Sequence, residues 1–451
     1  MQPEPVTTQT ATYREVFAVP AFRVLFASRS IAIAADSLRI VALSVLVFTA
    51  TGSAWLSAVT FGIGFLPQVL GGALFGSLSD RLRPRPLIVA GYGAECLAAL
   101  ALATLPMPTW LRLALVGVVA VGAPVFNGAS SRLVADVLTG DAYVLGRSLT
   151  SMASGGAQLL GLTVGGVAVG ALGAQRALLL AAACHLLAGL IVRFGLADLP
   201  AVPATGGAVR QSWSTNAALL GDPWVRRLLL VQWLPSAFVV GAEALMVAYA
   251  GSRGFPAATL GLLMGGSPLG MLLGQLLFGR LVPPAARVRL VAPLILLLGL
   301  PPVFFAFNPP LLVCGALMVA SGAGFAYSLG LQRAFVDAVP ERGRGQAFGL
   351  LSTGLMTLQG VGPAVFGAVA AVTAPRWAVA LAGVATVTTV LLVPPGRFLL
   401  DPGAVSTGRG KENADGQHTV PRRGAHVSDV DPGPVESAAG AGAAGDRRPL
   451  G

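Results

Sequence analysis

The chain has 451 residues, of which 55% are hydrophobic and 11% charged, and its mean hydropathy is +0.76. No soluble core of that length could hide so much apolar surface, so the chain belongs in a bilayer. The formal net charge of +11 does not signal nucleic-acid binding: residues 1–395 hold 23 Arg against 12 acidic side chains, while the segment from 396 balances seven against seven, and this excess tracks loops that flank a membrane.

The segment before Arg14 is polar and lacks a positive n-region and a cleavage pattern, so the first predicted helix is itself the insertion signal. A spanning helix needs about 20 mostly apolar residues. Twelve stretches qualify, at 21–49, 54–78, 86–105, 110–135, 146–172, 175–196, 225–250, 256–282, 288–306, 310–333, 345–371 and 376–395. Residues 197–222, rich in Pro, Gly and Ser, interrupt the series as a cytoplasmic linker. They divide a six-helix bundle (1–196) from a second (223–395). From Pro394 large apolar residues almost vanish, which predicts a disordered cytoplasmic tail over 396–451. The Gly-Arg-Gly-Lys411 fragment there lacks the upstream Gly of a phosphate-binding loop.

Arginine sets the orientation, because cytoplasmic loops retain positive charge. Arg81, Arg83, Arg85, Arg132, Arg147, Arg210, Arg226, Arg227, Arg280, Arg287, Arg289, Arg333, Arg342 and Arg344 fall in one set of alternate loops. Only Arg112, Arg176, Arg253 and Arg376 fall in the other, so both termini are expected in the cytoplasm. The two halves also repeat. F-G-S-L-S-D-R-L-R-P-R-P-L, Phe75 to Leu87, returns 203 positions later as F-G-R-L-V-P-P-A-A-R-V-R-L, Phe278 to Leu290. Pro20, Arg23 and Leu25 recur at the same offset as Pro223, Arg226 and Leu228, and Arg132-x-x-x-Asp136 recurs at an offset of 201 as Arg333-x-x-x-Asp337. Duplication of a polytopic unit explains both offsets.

Cys96, Cys184 and Cys314 all sit in predicted helices, an odd number in apolar surroundings, and read as reduced packing residues. Predicted helix five carries Gly156, Gly161, Gly165, Gly166 and Gly170, and helix eleven carries Gly354, Gly360, Gly362, Pro363 and Gly367. These spacings suit close helix contacts, either static or sliding between the halves.

Twelve helices in two repeated halves, with Gly76-x-Leu78-Ser79-Asp80-Arg81 after helix two, resemble the major facilitator superfamily over residues 14–395. The loop signature keeps its first half and departs at Arg83 and Pro84, and the second copy has Pro283 at the Asp position. Ala34-Ala35-Asp36, Thr51-Gly52-Ser53, Phe126-Asn127 and Val339 to Gly345 resemble the branch of enterobactin exporters and macrolide efflux proteins. Gly161 to Gly166 is similar in part to the antiporter G-P-x-x-G-G signature, with Leu162 for Pro, whereas the helix-four Arg motif of drug:proton antiporters is absent. The resemblance implies an all-α integral membrane fold of two pseudo-symmetric six-helix bundles.

Ionisable groups within a spanning helix need a partner, a wet cavity or a function. Asp36, near the middle of helix one, has Arg39 one turn on along the same face, and is the first candidate for proton exchange or a fixed ion pair. Arg29, two turns earlier, is a second cavity candidate, and Glu243 in helix seven is a proton or cation site facing helix one across the cavity. Glu95 in helix three and His185 in helix six read at least as readily as structural hydrogen-bonding groups. Gln158, Asn127, Gln232, Gln275, Gln332 and Gln359 could read a substrate or tie helices together. Gly76, Asp80, Arg81, Arg132 and Asp136 form a gating set, in which Asp80 would meet the start of helix eleven near Gly345 and Arg81 would pair with Asp136.

The sequence thus predicts a proton-coupled secondary exporter of small amphipathic molecules such as a drug, antibiotic, siderophore or other secondary metabolite. It would work as a monomer, without cofactor or metal, its partners being substrate, protons and lipid. Competing readings are an importer of a small solute on the same fold, or a membrane sensor or assembly protein without turnover. No catalytic constellation supports an enzyme. Twenty-nine Arg against one Lys suggests a high-GC bacterial genome, and hence the cytoplasmic membrane.

Overall fold

Proline and glycine punctuate the helices where the repeat requires it. In a computed structural model, which describes residues 12–75, 82–138, 140–198, 216–217, 219–256, 259–339 and 344–393, the first and seventh spans both begin on a proline, Pro20 and Pro223. A missing N–H costs nothing at that position. The Asp222 carboxylate caps the seventh span, accepting from the backbone N–H of Trp224 at 2.7 Å and of Val225 at 3.2 Å. The Thr51-Gly52-Ser53 motif is a helix stop followed by a helix start. Gly52 adopts φ 64°, and the Ser53 hydroxyl accepts from the N–H of Leu56 at 3.2 Å.

Among the described residues, twelve helices are long and apolar enough to span a bilayer: α1 (Pro20–Thr51), α2 (Ala54–Gly72), α3 (Pro84–Thr104), α4 (Thr109–Val137), α5 (Leu145–Leu172), α6 (Ala174–Gly195), α7 (Pro223–Ser252), α8 (Leu260–Leu281), α9 (Val288–Phe307), α10 (Leu311–Ala338), α11 (Ala347–Val372) and α12 (Pro375–Leu392). Each overlaps one predicted stretch, with ends that agree within two turns. A short helix, Tyr13–Ala18, precedes them, closed by a capping box between Thr12 and Glu15. Every described helix lies within the unit Met1–Pro402, and the unit Gly403–Gly451 falls outside the described residues. Also outside them are residues 1–11, 199–215 of the linker, the tail, Pro340 to Gly343, and three members of the gating set, Gly76, Asp80 and Arg81. The contacts expected of Asp80 and Arg81 therefore lie outside the described structure.

Two spans are less regular than hydropathy implies. In α2 the helix stops at Gly62 and resumes at Leu66, with a turn hydrogen bond from the Phe65 N–H to the Gly62 carbonyl at 3.0 Å. Gln68 Nε2 donates to the carbonyl of Gly64, which the interruption leaves without a helical partner. In α7 the α-helix ends at Ala244, Leu245 takes φ −87° and ψ −6°, and a new helix begins at Met246.

Packing repeats with the sequence. The pairs α1–α5, α1–α6, α3–α6, α2–α4 and α3–α4 recur, each label raised by six, as α7–α11, α7–α12, α9–α12, α8–α10 and α9–α10. The principal contacts between the two bundles are α5–α8 and α2–α11. One apolar core joins the bundles at the end carrying the α1–α2 and α7–α8 connections, and includes Val47, Ala58, Phe61, Leu245, Tyr249, Leu260 and Phe366. Toward the helix ends nearest the chain termini the core splits in two. Phe22, Leu25, Leu133 and Val192 belong to one bundle, and Leu228, Leu294, Tyr327 and Phe335 to the other. Among the described residues, the buried apolar core that joins and seals the bundles lies at one end.

Glycine makes that seal. A β-carbon on Gly166 would stand 2.6 Å from the backbone N of Gly261, and one on Gly62 would stand 2.8 Å from the carbonyl O of Gly360. Gly161 and Gly165 instead serve the first bundle, against Ala34, Ser37 and Leu38 of α1. Leu97, Val118, Phe194, Leu312 and Leu391 point outward, as a surface facing lipid requires. All three cysteines are unpaired, and Cys314 is fully buried.

Candidate functional site

Below the seal a cavity opens between the bundles in two adjoining compartments of about 280 and 250 Å³. Their linings are equivalent across the repeat. At the offset of 203, Arg29, Ile33, Ser37 and Ile40 of α1 match Gln232, Ser236, Val240 and Glu243 of α7. Gly64, Phe65 and Gln68 of α2 match Ser267, Pro268 and Met271 of α8. At the offset of 201, Asn127 matches Ser328 and Gln158 matches Gln359. The duplicated scaffold therefore turns the same faces of α1, α2, α4 and α5 inward again as α7, α8, α10 and α11, whereas Tyr92 and Glu95 of α3 and His185 of α6 line the first compartment without a counterpart in the second.

The first compartment holds an ionic cluster drawn from three helices. Arg39 Nη2 donates to Asp36 Oδ1 at 2.8 Å and lies 3.2 Å from Glu95 Oε2. His185 Nε2 lies 3.5 Å from the same Asp36 oxygen. Close packing of α1 and α3 on α6 brings the groups together. Arg39, Glu95 and His185 retain 8%, 12% and 0% exposure, whereas Asp36 retains 39%. All four line the first compartment, and Asp36 is by far the most exposed of them. With a neutral imidazole the four groups sum to one negative charge, so a single added proton neutralises the set.

Ligand atoms of Asp36, Glu95 and His185 lie within 4.8 Å of one another, a spacing compatible with metal coordination. The guanidinium of Arg39 already bridges both carboxylates, and its fixed charge opposes a second cation there. The donor types suit a divalent cation, and it is the position of Arg39 between the carboxylates that argues against one.

Elsewhere in the same compartment Arg29 donates through Nη1 to Asn127 Oδ1 of α4. Glu243 lines the second compartment, where its carboxylate accepts a hydrogen bond from the Ser267 hydroxyl of α8. Of the sequence candidates, Asp36, Arg39 and Glu95 share one cluster, Arg29 sits beside it and Glu243 stands apart. Arg132 and Asp136 lie in the last two turns of α4, toward the end away from the seal, and line neither compartment. The sequence reading gave His185 little weight and did not single out Gln68, Tyr92, Ser267 or Tyr327, all of which line the cavity. Tyr327 donates to the Gln232 carbonyl at 2.8 Å, bracing α10 on α7. Applying the repeat offset to Gly64 and Phe126 would have pointed to Ser267 and Tyr327.

Twelve spans, two equivalent bundles and a cavity between them, closed at one end, define a membrane transporter working on small molecules. The chain belongs to the Major Facilitator Superfamily, whose sequence profile matches residues 25–332 and 244–430. Two solved structures share the fold. One is a bacterial homologue of the human lysosomal transporter Spinster in an inward-facing, unoccupied conformation, with 16% identity and a TM-score of 0.56 over 85% of this chain and 95% of that one. The other is a POT family transporter in complex with a thioalcohol-conjugated peptide, with 12% identity and a TM-score of 0.63 over 82% of this chain and 95% of that one. No curated protein sequence matches the chain.

Proposed function

We propose that the protein is a proton-coupled exporter of small amphipathic molecules in the bacterial cytoplasmic membrane, with both termini cytoplasmic. Residues 1–196 and 223–395 would rock about the central cavity. The observation that carries this reading is an ionic cluster in the cavity wall in which Asp36 is far more exposed than Arg39, Glu95 and His185. A cluster one proton short of neutrality, with one oxygen-bearing member accessible, is suited to exchanging a proton for cargo as the cavity changes sides. Arginine-rich loops at the unsealed end support a cytoplasmic assignment for that end. The mixed lining, with Ile33, Ile40, Leu159 and Phe325 beside amides and hydroxyls, suits an amphipathic solute. The likeness of Asp36 and Thr51-Gly52-Ser53 to the efflux branch favours export.

Inverted membrane vesicles carrying the protein provide the test, with lipophilic cations, macrolides and siderophores as a panel. Substrate-triggered proton release is expected from the native protein and should fall to the substrate-free level in Asp36→Asn. Unchanged release in a correctly folded Asp36→Asn protein, or silence across the panel in the native one, would count against the reading.

A further inference from the structure

Each compartment holds one charged group that has no ionic partner of opposite sign among the described residues, Arg29 in the first and Glu243 in the second. Where α1 carries Arg29, α7 carries Gln232; where α7 carries Glu243, α1 carries Ile40. The duplicated fold thus accommodates an uncharged side chain at each equivalent position, so helix packing does not demand either charge. In the first compartment both carboxylates lie on Arg39, and Arg29 is held by a neutral amide, with no carboxylate partner among the described residues. In the second, Glu243 is held by a serine hydroxyl, and no cation is found among the described lining residues. Gly155 and Gln158 line both compartments, so the two adjoin between the charges. Glu243 lies eleven residues beyond Gln232, the equivalent of Arg29, which corresponds to about 16 Å along the helix axis.

A singly charged cargo would satisfy one of these groups and leave the other in a partly dry cavity with only a neutral partner. We infer that the cargo is an elongated zwitterion, with a basic nitrogen on Glu243, a carboxylate or phosphate on Arg29, and an apolar body between them. This rests on the reading of the cavity as a transport site, and deepens it by naming the charge pattern of the solute.

The test uses the full-length protein in lipid nanodiscs, with calorimetric titration of 12-aminododecanoic acid, dodecylamine and dodecanoate, and empty nanodiscs to correct for partitioning. The zwitterion is expected to bind at least about tenfold more tightly than either singly charged analogue. Arg29→Gln, which gives α1 the side chain found at the equivalent place in α7, should remove that advantage and leave dodecylamine binding unchanged. Glu243→Gln should remove it and leave dodecanoate binding unchanged, while Arg29→Lys should preserve the preference. Thermal unfolding confirms that each variant is folded. Equal binding of the three probes, a preference for dodecylamine, no binding of the zwitterion, or parallel loss of zwitterion and dodecylamine in Arg29→Gln would each overturn the inference. Substrate-triggered proton release by the drug and siderophore panel separates the two levels. If it persists while the zwitterion gains nothing, the charge pattern alone is wrong; if it too is absent, the transport reading falls with it.

Discussion

Arg39→Gln is expected to cost the folded protein about 3–5 kcal/mol, because it strips the cation from two carboxylates that cannot both reach water. Asp36 retains 39% exposure and can be hydrated from the cavity, but Glu95 retains 12% and is enclosed by α1, α3 and α6. Most of the cost should therefore come from Glu95. A double-mutant cycle checks this assignment: Arg39→Gln combined with Glu95→Gln should recover at least about half of the stability lost in Arg39→Gln, since a buried amide needs only hydrogen bonds. Thermal unfolding in detergent measures both single variants and the double, with Arg39→Lys as a charge-preserving control. A double variant less stable than Arg39→Gln alone would show that the cluster is not held together by this pairing.

The second large effect should come from the seal. Gly166 and Gly261 bring α5 and α8 into backbone contact, so a β-branched side chain on Gly166 has only main chain to displace. Gly166→Val should force the bundles apart at that end. Overpacking of this kind costs about 1–3 kcal/mol, enough to shift a two-state population by roughly 5- to 150-fold. Spin labels at Ser53 and Ser252, which share a crevice at the sealed end, would report the change in a cysteine-free background. The expected result is a longer-distance population that dominates in Gly166→Val, together with slowed transport. An unchanged distance distribution would show that the contact yields locally and does not govern the seal.

The helices were legible because a bilayer imposes length and polarity at once, and the twelve apolar runs could be counted directly. The start of α7 followed from that of α1 once Pro20 and Pro223 were paired, and Thr51-Gly52-Ser53 encodes its turn in its own side chains. What stayed hidden is rotation. In a soluble helix the polar face shows which way it is turned, but here the lipid face and the bundle face are both apolar. Hydropathy therefore could not show that Glu95 and His185 turn toward Asp36. Nor could it show the interruption at Ile63 to Phe65, where the side chains remain hydrophobic and only the hydrogen-bond pattern changes. The gating loop around Asp80 and Arg81 was the most legible motif of all, and its contacts are the part of the candidate machinery that the described residues do not reach.

That interruption divides α2 into two mechanical pieces. Ala54 to Gly62 is clamped at the seal, where Ala58 and Phe61 are buried and Gly62 meets Gly360. Leu66 to Phe75 packs instead on α4, through Gly71 against the backbone of Val121, with Leu70 and Leu74 facing outward. A continuous helix behaves as a stiff rod, and bending it would break hydrogen bonds at the point of flexure. Here the break is built in, and Gln68 already serves the carbonyl that flexure would orphan. The break thus leaves the lower piece fastened to α4 and the upper one to the seal, and because Gly64, Phe65 and Gln68 line the cavity, the three residues that join them lie at the wall where cargo would press.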